Sequence, residues 1–209
     1  MLNFLFIAED KMGESKNIIK LKKPYAFEGT EHTEIDLSGI ENLKISDAID
    51  AQNECFSERE VAASILPETS TAFTRKLAAK ATKFPIEFFK LAPLPVSKKV
   101  SQFVTGYLNV AADSEDHTMK FEKPYIFDGK TYKEVDLSGI ASLTSMDESA
   151  AENRMASEGI VSADTSTNYF YACIIASTAT GLPEEFFTNL PLIELLKLKV
   201  KVNSPSFFE

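Results

Sequence analysis

Two stretches of the chain alternate apolar and polar positions with a period of two. Ile19, Leu21, Tyr25 and Phe27 mark the first; Met119, Phe121, Tyr125 and Phe127 mark the second. That period sends successive side chains to opposite faces, so each stretch predicts a β-strand. Glu28-Gly29 and Asp128-Gly129 supply turns, and "TEIDL" and "KEVDL" supply return strands, giving two β-hairpins. The apolar parity slips between His32 and Ile35, and between Tyr132 and Val135. A β-bulge in each return strand would restore it. Pro24 and Pro124 have no N–H to give a ladder, so their strands are expected at an edge.

Downstream the period becomes helical. A first helix is expected over 46–60 and again over 145–158, opened by Ser46 as an N-cap and by Ser145 with Glu148 at capping-box spacing. A second is expected over 70–83 and 167–180. It carries Phe73, Leu77 and Ala81, or Tyr171, Ile175 and Ala179, on one stripe at i, i+4 and i+8. Gly181 is placed to end the second copy. Pro85 and Pro183 suit the start of a short helix bearing Phe88-Phe89 or Phe186-Phe187, and a last helix follows Pro95 and Pro191. The fold class is α+β: a β-hairpin followed by three to four short α-helices, in tandem repeat.

The repetition is literal. "KPYAFEGTEHTEIDLSGI" begins at Lys23 and "KPYIFDGKTYKEVDLSGI" at Lys123, an offset of 100, and twelve of the 21 residues 23–43 recur at that offset. "FPIEFFKLAPL" and "LPEEFFTNLPL" match later, with Pro183 answering Pro85, an offset of 98. Two residues have therefore been lost from the second copy, within 155–170. The organisation is an N-terminal extension at 1–16, repeat one at 17–110, an acidic linker at 111–117 and repeat two at 118–209. "AEDKM" can be encoded with a purine-rich ribosome-binding sequence before Met12, so translation is expected to begin there, with residues 1–11 outside the native protein.

Charge narrows the partners. The formal net charge is −9, with 12 acidic and 12 basic side chains in residues 17–100 and 13 acidic against 8 basic in 117–209. Phosphate backbones and anionic membrane surfaces call for a basic footprint, so neither nucleic acid nor a membrane is an expected partner. The only cysteines, Cys55 and Cys173, hold non-equivalent places in the repeats. That argues against a disulfide framework and for the reducing cytoplasm. No apolar run reaches the ~18–20 residues of a spanning helix.

Candidate chemistry is sparse. Asp36 and Asp136 recur in "DLSGI", but an Asp-x-Ser-Gly at a strand end reads as turn punctuation, with Gly39 or Gly139 allowing positive φ. Neither carboxylate has a partner acid, base or metal ligand in the pattern. The two histidines, His32 and His117, form no cluster with metal-ligand spacing, and no phosphate-binding glycine loop is present. No catalytic residue, metal or cofactor is expected. Gly29, Gly129, Asp36, Asp136, Gly39 and Gly139 are assigned as structural turn residues. The run "FFTNLPLIELLKLKVKV" (186–202) reads as the last core helix of repeat two, or as a docking surface for an amphipathic helix. On the second reading Phe88, Phe89, Phe186 and Phe187, with Leu192, Leu195, Leu196 and Leu198, are the candidate partner-binding residues.

The order of these motifs resembles the tail assembly chaperones of long-tailed bacteriophages and prophages. The resemblance rests on the K-P-Y-x-F-[ED]-G hairpin, on the helix opening of Leu143, Thr144, Asp147, Ala151 and Glu152, and on Gly181-Leu182-Pro183. Repeat one keeps Leu43, Asp47 and Ala51 but has Lys83 and Phe84 where repeat two has Gly181 and Leu182. Members usually carry one copy, so the duplication is a departure. The resemblance implies a non-enzymatic protein of the bacterial cytoplasm that holds the long, helical tape measure protein soluble until the tail tube polymerises. The tape measure protein is the implied partner. The tail tube protein is a second candidate, and self-association is expected, as a pseudo-twofold pair or an open array. Two alternatives stand beside it: a structural tail or head–tail connector component, and a cytoplasmic enzyme of duplicated-domain type.

Overall fold

The computed structural model describes residues 17–109, 117–160, 162 and 164–207. The extension 1–16 with Met12, and residues 111–116 of the linker, lie outside the described residues. In repeat one, strand β1 (Ile18–Phe27) pairs antiparallel with β2 (Thr30–Asp36). In repeat two, β3 (Thr118–Phe127) pairs likewise with β4 (Lys130–Asp136). Both central residues of each turn have positive φ: 47° at Glu28, 78° at Gly29, 47° at Asp128 and 72° at Gly129. That is the backbone of a type I′ hairpin turn, whose twist matches that of the strands.

The bulge sits in the other strand from the one expected. Lys20 pairs with Glu34 and Tyr25 with His32, so four residues of β1 face one of β2; Lys120 and Tyr125 repeat the pattern against Glu134 and Tyr132. The reason is Pro24 or Pro124, which cannot donate to a ladder and is accommodated in the bulged segment. A slip in parity has the same appearance whichever strand holds the extra residues.

After each hairpin the chain makes a 3-10 turn, Ser38–Asn42 or Ser138–Ser142, that buries Ile40 or Ile140. Asp36 and Asp136 close its entrance: each Oδ1 accepts the N–H of Ser38 or Ser138 at 2.8 Å. Hydrogen bonds from the Ser38 hydroxyl and N–H, and from the Ser138 N–H and hydroxyl, favour the charged form and hold both carboxyls below the usual aspartate value. The glycines act differently from the expectation. Neither Gly39 nor Gly139 has positive φ. Instead, a Cβ on Gly39 would stand 2.1 Å from the Ala81 carbonyl oxygen, and one on Gly139 would stand 2.2 Å from that of Ala179. Close approach of a helix end, not a left-handed turn, requires glycine here.

Repeat one continues with α1 (Ile45–Ser57), α2 (Val61–Ile65), a 3-10 turn (Pro67–Thr69), α3 (Thr71–Ala81), α4 (Ile86–Lys90) and α5 (Leu94–Leu108). Repeat two has α6 (Ser145–Ser157), a 3-10 turn (Thr165–Thr167), α7 (Tyr169–Thr180), α8 (Glu184–Thr188), a 3-10 turn (Leu192–Glu194) and α9 (Leu195–Val202). The α+β duplication is thus the observed architecture. The first helices are capped earlier than expected, two residues before Ser46 and one before Ser145: the Asp47 and Asp147 carboxylates accept the N–H of Lys44 and Thr144 at 2.9 and 2.8 Å. Ser70 and Asn168 cap α3 and α7, and Gly181 ends α7 at φ 70°. The last helix of repeat one begins beyond Pro93, the counterpart of Pro191, with Pro95 inside its first turn.

The buried residues of both repeats form one hydrophobic cluster. Under each hairpin one phenylalanine is the hub. The Phe88 ring lies 4.9 Å from Tyr25, 5.3 Å from Phe27 and 4.1 Å from Phe84, stacked on the last. Phe186 lies 5.2 Å from Tyr125 and Phe127 and 4.8 Å from Tyr132. Such packing of aromatic edges against faces contributes beyond the area buried. The second helices differ: the buried residues of α3 include the polar Thr74 and Lys76 and are broken by the partly exposed Arg75, whereas α7 is buried continuously from Tyr169 to Ala176, Cys173 included.

Candidate functional site

The eight residues named as a docking surface are not one. Phe88, Phe89, Phe186 and Phe187 are buried, as are Leu192, Leu195 and Leu198, and Leu196 is half-buried. An apolar run in sequence marks a core helix and a surface groove alike. Here the helices turn those side chains beneath the hairpins and between the repeats.

The three lysines that interrupt the last run are drawn into the same packing. Lys197 is buried against the Glu122 carboxylate, with Glu194 Oε2 3.6 Å from its ammonium and the Lys120 carbonyl accepting at 3.3 Å. Glu194 Oε1 accepts the Glu122 N–H at 2.6 Å, and burial pushes its carboxyl above the usual range. Lys201 is also buried, while Lys199 reaches back to repeat one.

The repeats meet along one seam. Residues 43–45 run antiparallel to 190–192: the Ile45 N–H donates to Leu190 O at 2.9 Å, and the Leu192 N–H to Leu43 O at 2.8 Å. From this edge α1 runs on against α7. Gln52 reads the start of α7 with both ends of its amide: Nε2 donates to Thr167 O at 3.0 Å, and Oε1 accepts the Tyr169 N–H at 3.1 Å. Ile45, Ala48 and Ile49 share the Gln52 face by helical spacing, and all four are buried. Beyond α1, Glu68 accepts from Tyr169 Oη at 3.0 Å and from Lys199 Nζ at 2.9 Å. Burial would raise the Glu68 carboxyl, but the hydrogen bonds from Lys199 and Tyr169 outweigh it and hold the group below the usual value.

The seam is not a twofold. A twofold would set α6 against α3 as α1 is set against α7. Each first helix packs on the second helix of its own repeat, but only α1 packs as well on that of the other; α6 has no comparable packing on α3, and its Ser145, Glu148, Ser149 and Glu152 stand exposed where α1 has Ile45, Ala48, Ile49 and Gln52. The contact is heterologous: a donor face of repeat one meets an acceptor edge of repeat two. No sequence reading singled out Gln52 or Ile49. The available signal was the contrast between "ISDAIDAQ" and "SMDESAAE" at the 100-residue offset.

Exposed apolar side chains concentrate elsewhere. Phe56, Val61, Ile65 and Leu66 are exposed around α2, and Leu91 and Leu94 flank the start of α5. Of the titratable groups, both thiols are buried; burial raises Cys55 to about 11 and Cys173 further. His32 packs edge-on against Phe84 and Phe88, and His117 stacks on Phe207 at 4.2 Å. Among the described residues no group of three or more His, Cys, Asp or Glu side chains could hold a metal ion, and no helix is long and apolar enough to cross a membrane. Compared with protein-family models, with curated proteins and with solved structures, the chain matches none.

Proposed function

We propose that this protein is a tail assembly chaperone: a non-enzymatic, cytoplasmic carrier that binds the tape measure protein of a long-tailed bacteriophage and keeps it soluble until the tail tube polymerises. One observation carries the reading. Residues that resemble that family serve the fold of the repeated unit: Gly29 and Gly129 in the hairpin turns, Asp47 and Asp147 in the caps of α1 and α6, and, in repeat two alone, Gly181 at the end of α7. The motifs that carry the resemblance thus belong to one hairpin-and-helix unit, present in two copies, which supports reading them together. A carrier of apolar helices needs exposed apolar surface on an otherwise acidic body. The patch of Phe56, Val61, Ile65 and Leu66, on a chain of net charge −9, meets that need.

Co-expression with a tape measure protein from the same genome tests the proposal. The expected result is a soluble complex containing both chains, weakened when Phe56, Val61, Ile65 and Leu66 are all replaced by serine. A tape measure protein left in the pellet, with this chain alone in the supernatant, overturns it. Presence of the chain in purified particles would favour the structural-component alternative.

A further inference from the structure

The acceptor edge used in repeat two has an unused counterpart in repeat one. The offset of 98 carries Leu190–Leu192 onto Ala92–Leu94. In repeat two the edge is filled by residues 43–45. In repeat one, among the described residues, neither the Ala92 carbonyl nor the Leu94 N–H makes a backbone hydrogen bond, and Leu91 and Leu94 are 70% and 66% exposed. Beside the edge lies a cavity of about 420 Å³ whose apolar wall includes Leu21, Tyr25, Pro93 and Val96. Its charged lining is wholly basic: Lys22, Lys23 and Lys99.

We infer that this edge is a docking site for a strand-then-helix segment of another protein built on the pattern of α1. The occupant is specified by the seam. It presents two apolar residues flanking one strand position, as Leu43 and Ile45 do, and then apolar residues on the helix at the spacing of Ile45, Ala48 and Ile49. Acidic residues before the strand suit the lysines. The segment pairs its backbone with Ala92 O and Leu94 N–H and covers Leu91 and Leu94.

A second copy of this chain is a poor occupant. Its α1 is already committed to its own repeat two. Its other first helix, α6, offers Ser145, Glu148, Ser149 and Glu152, and burying those carboxylates against an apolar edge without partners is costly. Repeat two thus ends the series as a capping unit with a polar outer face does, while repeat one stays open. The inference does not depend on the client proposed above.

The test is fluorescence anisotropy on the full chain with two labelled peptides, residues 41–57 carrying Cys55→Ala and residues 141–157. The expected result is saturable binding of the first and at least tenfold weaker binding of the second. Leu94→Pro removes the edge N–H and the exposed leucine at a helix start that accepts proline, and it is expected to weaken the first peptide at least tenfold. A Leu91→Glu, Leu94→Glu variant, altering two exposed side chains, is expected to do the same if Leu94→Pro folds poorly. No saturable binding, equal binding of the two peptides, or binding unchanged in both variants overturns the inference. So does light scattering that shows a dimer abolished by these variants, because a second copy would then fill the edge.

Discussion

Gly39 lies so close to Ala81 that a Cβ on the glycine would stand 2.1 Å from the alanine's carbonyl oxygen, and Gly139 repeats the relation with Ala179 at 2.2 Å. The hairpin of each repeat is thereby set on the end of its second helix with no room for a side chain. Gly39→Ala and Gly139→Ala are each expected to destabilise the protein by about 3 kcal/mol, since backbone must move to admit the methyl. Gly106 in α5 has nothing within 4 Å of its Cβ position. Gly106→Ala is expected to stabilise by about 0.5–1 kcal/mol. Urea unfolding of the three variants gives both signs in one experiment.

The end of α1 holds a smaller strain. Arg59 has φ 60°, where repeat two has Gly159 at 74°. The Glu60 N–H reaches back to Cys55 O at 2.9 Å, as Ile160 does to Met155 O at 3.0 Å, so both helices close with the same left-handed turn. A non-glycine residue there costs about 1 kcal/mol. Arg59→Gly is expected to raise stability by up to that amount, read as an upward shift in the urea midpoint with unchanged slope.

Glu68 links the repeats through Lys199 and Tyr169, and its side chain is 16% exposed. Its folded-state pKa lies below the reference 4.5, so its contribution is fully present above that value. The contribution is lost as pH falls through the depressed folded value, because the proton must then be bound in the folded state too. Glu68→Gln is expected to cost about 2 kcal/mol at pH 7, with one partner of a mostly buried ion pair neutralised. The gap between wild type and variant should narrow as unfolding is measured toward pH 3. A gap that stays constant would show that the charge of Glu68 is not what stabilises the seam.

How far the sequence speaks depends on how local the cause is. The hairpins were legible because a period of two and an Asp-Gly or Glu-Gly pair determine them within ten residues. The helix ends at Gly181, Pro183 and Pro85 are equally local. Gly39 was misread because its neighbour, Ala81, is brought to it only by the tertiary fold. The bulge fell on the wrong strand because parity cannot tell which strand carries the extra residues, although Pro24 held that information. For the phenylalanines and leucines the sequence leaves core helix and docking surface both open, and the core reading holds, because burial depends on what packs over a helix face. Gln52 was invisible singly. It emerges only when α1 is set against α6 and its apolar companions are seen to be replaced by Ser145, Glu148 and Ser149.

The occupied edge of repeat two is the junction of residues 43–45 with 190–192, and its counterpart in repeat one stands open. Amide hydrogen exchange by NMR at Ile45 and Leu192 measures the junction most directly. Both N–H groups are donated across the seam, at 2.9 and 2.8 Å. Both should therefore exchange only with global unfolding, at the same free energy as core amides of α3 and α7, while the Leu94 amide exchanges freely. Rapid exchange at Ile45 and Leu192, at the rate of Leu94, would contradict the account, because the repeats would then not be joined along this edge.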